Sequence, residues 1–190
     1  IVRRLVGSEM CIRDSYRAGV TVETKVDESP VTQADKDANE LIVAGLQQNF
    51  STDAILAEES ADNEKRLSNR RLWCVDPLDG TKEFIAQNGM FVVMIGLAID
   101  GESRLGVVYQ PTEDLLLWGA NGKVGIEQHG KPVPCRISSC STPADATMVV
   151  SRSHRSGTVT RVAERLGVKG EKPVGSVGLK IADIVLGLSL

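Results

Sequence analysis

The sequence contains no apolar run that approaches the ~20 residues of a membrane-spanning helix. Its first residues also lack the apolar core of a secretory signal peptide. No block of Lys and Arg resembles a nucleic-acid-binding stripe, and the 190 residues carry a net charge of −3. These absences predict a cytoplasmic protein with no integral membrane segment and no polymeric nucleic acid as a partner.

Paired cysteines are also absent. The four cysteines, Cys11, Cys74, Cys135 and Cys140, form no CxxC pair, and Cys74 lies in an apolar run where a thiol usually behaves as a small hydrophobe. We therefore expect reduced, structural thiols. With 42% hydrophobic and 25% charged residues, the chain has globular composition and can form one good core or two small ones.

Two phosphate- or cation-binding loop motifs are excluded by single positions. A Walker A loop requires Lys directly after its second Gly, whereas the order here is Gly80-Thr81-Lys82. An EF-hand loop requires Gly at its sixth position, which is Thr81 for a loop starting at Asp76 and Glu40 for one starting at Asp35. A phosphate or metal site in this chain must therefore be of another type.

The most informative stretch begins with the apolar run Leu72–Val75 and continues through Asp76, Pro77, Asp79 and Gly80. This pattern predicts a strand, a tight turn and a helix that starts near residue 81. The Gly lets the backbone approach a ligand closely. Two carboxylates beside an anion-binding helix start indicate a hard divalent cation and metal-assisted phosphate hydrolysis. The alternative is an ordinary capped turn, because Asp caps helices and Gly forms turns in many proteins.

The first third of the chain contributes three further segments. Residues 1–15 are predicted to be foreign to the fold, because residues 7–15 (GSEMCIRDS) resemble translated sequencing-adapter read-through; the alternative is an ordinary amphipathic lead-in. Residues 16–31 are rich in β-branched residues and are predicted to be extended. A capping box, Thr32 to Asp35, predicts a helix that runs toward Phe50. Asp35 has a sufficient role as a first-turn acid, and its functional alternative is to orient an attacking water.

A second strand is also followed by acids. The apolar run Ala54–Ala57 is followed by Glu58 and Glu59, which otherwise fit a solvated acidic loop. If this strand neighbours the one before Asp76, Glu58 lies close to Asp76 and Asp79. That arrangement provides the density of oxygen ligands that a two-metal site needs.

The remaining residues divide into two units. The first unit contains an antiparallel meander, which is predicted from strands around residues 91–99, 105–110, 115–118 and 125–128. Asp100-Gly101 and Asn121-Gly122 are predicted to form its hairpin turns. An α/β unit is predicted after about residue 143. It consists of a strand at Thr147–Val150, a polar loop, a helix at Val159–Leu166 and a final helix that continues to the last residue. We thus expect a metal-binding subdomain over 16–143 and a second subdomain over 144–190.

Three motifs resemble the inositol monophosphatase superfamily in their order and spacing. They are residues 29–35 (SPVTQAD), 57–59 (AEE) and 76–85 (DPLDGTKEFI). Within the superfamily, the TKEF segment and residues 149–154 are most similar to the 3'(2'),5'-bisphosphate nucleotidases of bacterial sulfur assimilation. The resemblance extends roughly from residue 16 to residue 190.

The resemblance implies an α/β (α+β) fold, a layered αβαβα sandwich, and a lithium-sensitive, Mg²⁺-dependent phosphomonoesterase. Its reaction would be removal of the 3'-phosphate of adenosine 3',5'-bisphosphate, with two metal ions activating water. The implied metal ligands are Glu58, Asp76, the Leu78 carbonyl and Asp79. The implied catalytic residues are Asp35, Thr81 and Glu59. The implied substrate-binding residues are Glu58, Leu78, Asp79, Gly80, Thr81, Ser151, His154 and Lys180.

The chain also departs from the family pattern. The later Trp-Asp motif, whose Asp completes the second metal site, does not occur before Leu190, and residues 1–15 replace the N-terminal helices. We therefore expect a chain truncated at both ends. Two alternatives stay open at this point: a phosphatase for inositol phosphates or other sugar phosphates, and a non-catalytic fragment that binds Mg²⁺ and nucleotide.

Overall fold

The computed structural model describes residues 12–16, 22–25, 30–136, 138–153 and 155–187. Most of the segment predicted to be foreign, and His154, therefore lie outside the described residues. Residues 12–16 are helical, and Ile12 is completely buried in the main core. No helix among the described residues is long and apolar enough to cross a membrane.

The main sheet contains seven strands. A separate two-stranded ribbon, β1 (Val22–Thr24) and β2 (Pro30–Thr32), precedes it in the chain. The seven strands of the main sheet are β3 (Ala54–Ala57), β4 (Arg71–Asp79), β5 (Val92–Ile99), β6 (Glu102–Gln110), β7 (Leu115–Ala120), β8 (Lys123–Gln128) and β9 (Lys131–Val133). The strands of the main sheet pair in chain order, with β3 parallel to β4 and every later pair antiparallel. The predicted meander is thus confirmed.

The predicted helix after Thr32 forms one face of the core. Helix α1 spans Gln33–Asn49, with the Thr32–Asp35 capping box in place. Its residues at helical spacing, Ala34, Ala38, Ile42 and Leu46, are at most 2% exposed and pack on Trp73, Val75, Val93 and Ile95 of the sheet. Removing these side chains from water supplies the hydrophobic stabilisation that holds α1 against the sheet. The short helix α2 (Thr81–Ile85) follows β4 and buries Phe84 in the same core.

The second unit packs on the opposite face. Strands β10 (Thr147–Ser151) and β11 (Gly170–Val174) form a parallel pair, with helix α3 (Gly157–Leu166) between them in the chain and helix α4 (Val177–Val185) after them. Leu179 of α4 packs with Val92 and Val174, and Ala182 packs with Leu117. Helices therefore flank the main sheet on both faces, as a layered α/β fold requires. Single turns of 3₁₀ helix occur at Lys65–Leu67 and Pro143–Asp145.

The strand before the acidic motif differs from the prediction. Strand β4 does not stop at Asp76 but continues through Pro77 to Asp79, with a shift in its register to β5 between the two acids. The irregularity accounts for the proline, which has no N–H to donate to a regular ladder. Cys74 is exposed rather than buried, because the alternation of a strand turns it away from the face of Trp73 and Val75.

The end of the chain also differs from the prediction. The last helix ends at Val185, and Gly187 adopts a φ of +71°, the left-handed conformation that commonly terminates helices. Strand β11 was not predicted, because Pro173 and its charged neighbours obscure the pattern of a strand. Among the described residues, Cys74, Cys135 and Cys140 form no disulfide with one another, and Cys74 and Cys135 are exposed.

Candidate active site

The parallel pairing of β3 and β4 brings the two acidic motifs together. Ala57 is opposite Val75 in the register, so Glu58 and Asp76 follow at the same edge of the sheet. The backbone N–H of Glu58 donates to the carbonyl of Val75 over 3.0 Å, which fixes the end of β3 against β4. Neighbouring strands that end together account for this meeting of acids that lie eighteen residues apart in the sequence.

The acids at this edge interact electrostatically. Burial, followed by the charges of Glu58 and Asp79, raises the pKa of Asp76 to about 8. The pKa of Asp79 is also raised by burial, although the N–H groups of Gly178 and Val177 and the charge of Lys180 oppose the shift. Acids that raise one another's pKa cannot all be ionised at neutral pH without a compensating cation.

Asp79 connects the main sheet to the second unit. Its Oδ2 accepts a hydrogen bond from the N–H of Gly178, in the first turn of α4, over 2.8 Å. A Cβ on Gly178 would lie 2.6 Å from the Val92 side chain, so only glycine allows this close packing of α4 on the sheet. The carboxylate therefore defines the position of α4 as well as one side of the site.

Gly80 is required by the backbone. Its φ is +104°, and an added Cβ would lie 2.9 Å from the carbonyl oxygen of Met90. The sequence indicated that this glycine lets the backbone approach a ligand closely, and the structure adds that neighbouring segments of the same chain leave no room for a side chain there. The glycine allows β4 to turn sharply into α2 and places Thr81 beside α1.

Thr81 and Asp35 form a hydrogen-bonded pair. The Thr81 hydroxyl lies 3.1 Å from Asp35 Oδ1, and Asp35 Oδ2 accepts bonds from the Thr32 N–H at 2.8 Å and the Thr32 hydroxyl at 2.5 Å. Burial raises the pKa of Asp35, and the bonds from Thr32 and Thr81 limit the shift. Asp35, the N3 residue of the capping box, is thus also the partner of a hydroxyl at the site, so its two interpretations are compatible.

Lys25 is a basic residue at the site that the sequence did not identify. Its ammonium contacts Glu58 Oε1 at 3.0 Å and Glu59 Oε1 at a shorter distance. Although partial burial lowers the pKa of Lys25, the two carboxylates raise it overall, so the ammonium is positive at neutral pH. Nothing in the extended segment around Lys25 indicated a contact with acids more than thirty residues away.

The side chains of Glu58, Asp76 and Asp79 suit a divalent cation, because they offer oxygen ligands and because their negative charges repel one another without one. Carboxylate and carbonyl oxygens are the ligands that Mg²⁺ and Ca²⁺ prefer. Within the described part of the chain, no three acidic, His or Cys side chains already form a metal-binding cluster. Glu58 instead contacts Lys25.

A cavity of about 400 Å³ joins the acidic edge to the second unit. Six of the predicted site residues line it: Glu58, Asp79, Gly80, Thr81, Ser151 and Lys180. Two further predicted residues contact this site without lining the cavity. Asp35 is bonded to the Thr81 hydroxyl, and Glu59 is bonded to Lys25, which also contacts Glu58. Asp76 borders a larger, mostly apolar cavity of about 830 Å³, which Glu58 also lines.

The comparisons with known proteins agree with this geometry. A sequence model described as the inositol monophosphatase family matches residues 6–189. The 3'(2'),5'-bisphosphate nucleotidase CysQ of Salmonella typhimurium is 39% identical over 153 residues, which cover 80% of this chain and 61% of that protein. CysQ of Escherichia coli is 38% identical over 156 residues, which cover 82% of this chain and 62% of that protein. The chain thus spans about three fifths of the length of these relatives.

A solved structure confirms the predicted fold. The extragenic suppressor protein suhB of Bartonella henselae superposes with a TM-score of 0.83 and 26% sequence identity. The match covers 99% of this chain and 74% of that one. The layered arrangement of helices around a mixed sheet is therefore shared along nearly the whole chain.

Proposed function

The chain belongs to the inositol monophosphatase family, and from this premise we propose that the protein is a Mg²⁺-dependent phosphomonoesterase. We propose adenosine 3',5'-bisphosphate as its substrate, with AMP and phosphate as the products. The relatives named bisphosphate nucleotidases support this choice, since their identity extends over four fifths of the chain. Cytoplasmic location, lithium inhibition and a role in sulfur assimilation accompany the proposal as expectations.

One observation carries the proposal: a single cavity places Glu58 and Asp79 beside Thr81 on one wall and Ser151 and Lys180 on another. The first wall contains oxygen donors for a cation and a hydroxyl paired with a carboxylate. The second wall contains a cationic side chain and a hydroxyl, which suit a further phosphate and the sugar of a nucleotide. A phosphate ester with a second anionic group matches both walls.

The proposed cation ligands are the carboxylates of Glu58, Asp76 and Asp79 and the carbonyl oxygen of Leu78. Leu78 follows Asp76 at a fixed distance, because its own N–H donates to Asp76 Oδ1 over 3.1 Å. Bound divalent cations would polarise the phosphate, activate the attacking water and stabilise the leaving oxygen. Their charge would also return Asp76, whose pKa is raised to about 8, to its ionised form at neutral pH.

The proposed proton acceptor is the pair of Thr81 and Asp35. The Thr81 hydroxyl lies 3.1 Å from Asp35 Oδ1 and 3.3 Å from the Leu78 carbonyl, and we assign its single hydrogen to the nearer, charged acceptor; the lone pairs of Thr81 Oγ1 can then accept a hydrogen bond from a water in the cavity. A proton that leaves this water moves to Oγ1 as the hydroxyl proton moves to Asp35. Because burial raises the pKa of Asp35, its carboxylate is a stronger base than an exposed aspartate.

The proposed substrate contact of Lys180 uses a side chain that is already positioned. Its Nζ donates to the carbonyl of Ser176 over 2.9 Å, one turn earlier in the chain, which holds the ammonium at the start of α4. The charge lies near enough to Asp79 to lower the pKa of that acid against the effect of burial. A charge held in place loses little conformational freedom when an anion binds.

Hydrolysis rates for two substrates test the proposal. Phosphate release from adenosine 3',5'-bisphosphate should require Mg²⁺, stop with EDTA and exceed the release from inositol 1-phosphate. Lys180→Met should raise KM for the bisphosphate about tenfold or more, because it removes one charged hydrogen bond to the substrate. Lys169→Met is the control, because Lys169 is exposed, and it should leave KM unchanged. Preferential cleavage of the inositol ester would contradict the proposed substrate. Nucleotide binding without any phosphate release would contradict the proposed catalysis.

A further inference from the structure

Glu83 is a completely buried carboxylate to which neither the sequence motifs nor the proposed chemistry assign a role. Its residue exposure is 1%, the lowest among the acids of the described chain. Three side chains donate to it: Arg152 Nε to Oε2 over 2.8 Å, Asn88 Nδ2 to Oε2, and the Ser153 hydroxyl to Oε1. Such a number of donors satisfies an ionised carboxylate without a metal or water.

The groups around Glu83 come from three segments, two of which are distant from it in the sequence. Asn88 follows α2, Arg152 and Ser153 follow β10, and Gly175 follows β11. A Cβ on Gly175 would lie 2.3 Å from Glu83 Cγ, so the carboxylate side chain packs directly on the backbone of that segment. The backbone N–H of Arg152 also donates to the carbonyl of Val174 over 3.2 Å, which links the last two segments to each other.

Glu83 therefore connects the two walls of the candidate active site. It is two residues after Thr81 in the same short helix, and it holds the residues directly after Ser151. Both Thr81 and Ser151 line the cavity of about 400 Å³. The bonds of this one side chain thus join the helix that carries Thr81, on the wall with the acids, to the segment that follows Ser151 on the other wall.

The charge state of Glu83 agrees with this role. Burial alone would raise its pKa, but the bonds from Ser153 and Asn88 and the charge of Arg152 lower it overall. Arg152 itself is partly exposed, with 45% of its side chain accessible. The pair is thus an ionised carboxylate inside the protein and a guanidinium at the surface, and removing the arginine leaves the buried carboxylate with Asn88 and Ser153 as its side-chain donors.

We infer that Glu83 is a positioning residue that determines selectivity for a large phosphate ester over a small one. It acts by holding the segment 151–153 at a fixed distance from Thr81, and it does not contact the phosphate itself. The inference rests on the proposed function, since it assigns the second wall to the nucleotide part of the substrate. It extends that function to a residue that touches neither cation nor reacting atoms.

The test compares Glu83→Gln with Glu171→Gln in the protein at its full natural length. Glu171 is the matched control, because it forms an ion pair with Arg155 in the same unit but does not line the cavity. The substrates are adenosine 3',5'-bisphosphate and 4-nitrophenyl phosphate, assayed with Mg²⁺. We expect Glu83→Gln to lower kcat/KM for the bisphosphate about tenfold or more, mainly through KM, since displacements of about 1 Å have effects of this size. The value for the small ester should stay within about twofold.

Equal losses on both substrates, or no loss on either, would overturn the inference. Arg152→Met is the second variant, in case Glu83→Gln does not fold, and it should change the substrate ratio in the same direction. If the wild type cleaves only the small ester, the proposed substrate is wrong, and hydrogen exchange then decides the role of Glu83. The backbone amide of residue 152, which donates to the Val174 carbonyl, should exchange faster in either variant while amides of β5 and β6 do not change. Unchanged exchange at position 152 would show that Glu83 does not hold this segment.

Discussion

Replacing Asp35 by Asn separates the charge of this side chain from its shape. The carboxylate accepts two bonds from Thr32 and one from Thr81. An asparagine can keep its amide oxygen toward Thr32, where two donors converge, and then presents NH₂ to Thr81. The Thr81 hydroxyl would turn its hydrogen to the Leu78 carbonyl, which lies 3.3 Å away. The proposed path of the proton would thereby be removed with little change in packing.

The stability of Asp35→Asn should differ little from that of the wild type at neutral pH. Losing a charged cap costs about 0.5–2 kcal/mol. The variant no longer buries an ionised group, which offsets part of this cost, so we expect a net change below about 2 kcal/mol. Because burial raises the folded-state pKa of Asp35, its stabilising contribution is present at low pH and declines as the pH rises. The variant should therefore gain stability relative to the wild type as the pH rises above the ordinary pKa of an aspartate.

Activity should respond much more strongly than stability. Loss of a positioned proton acceptor typically lowers rates by about 10²- to 10⁴-fold. The assay is kcat for Mg²⁺-dependent phosphate release, with thermal unfolding followed on the same samples. Asp37→Asn is the control, because Asp37 is on the same helix and bonds to Gln33 rather than to Thr81. A kcat for Asp35→Asn within about threefold of the wild type would refute the reasoning about Thr81 and Asp35.

Three further predictions concern other parts of the chain. Because the folded-state pKa of Asp76 is raised to about 8, its contribution to stability is lost as the pH rises from about 4 to 8. In EDTA, the wild-type Tm should thus fall from pH 5 to pH 8 more steeply than that of Asp76→Asn, and Mg²⁺ should reverse the fall. Asp53→Ala leaves the Trp73 N–H, now 2.9 Å from a carboxylate oxygen, without its partner. It should lower the free energy of unfolding by about 1–3 kcal/mol in urea, whereas Asp100→Ala, at an exposed ion pair, should have far less effect. Phe84→Ala, at a completely buried position, should cost about 3–5 kcal/mol in the same measurement.

Local patterns in the sequence predicted much of the fold because their physical basis is local. The capping box at Thr32 and Asp35 marks the first turn of α1, where the sequence places it. Asp100-Gly101 and Asn121-Gly122 each adopt two consecutive positive φ angles, which tight hairpins require and which these residue types tolerate. Neither signal depends on distant parts of the chain.

Other features depend on contacts that periodicity does not encode. The apolar run that stops before Asp76 suggested that the strand ends there, but pairing with β5 and a change in register carry β4 to Asp79. Lys25 meets Glu58 and Glu59 only because the tertiary fold brings the β1 ribbon to the end of β3. Glu83 was part of the motif that marked the resemblance, yet its burial depends on Arg152 and its neighbours from the second unit.

Binding of a divalent cation at the ends of β3 and β4 is tested most directly by electron paramagnetic resonance of Mn²⁺ added to the chain. The wild type should bind Mn²⁺, and Mg²⁺ should compete with it. Asp76→Asn should weaken this binding about tenfold or more, since it removes a charged ligand, while Asp100→Asn, an exposed carboxylate paired with Arg70, should not. Equal Mn²⁺ affinity in the wild type and in Asp76→Asn, or no binding by the wild type, would contradict the assignment of the metal site.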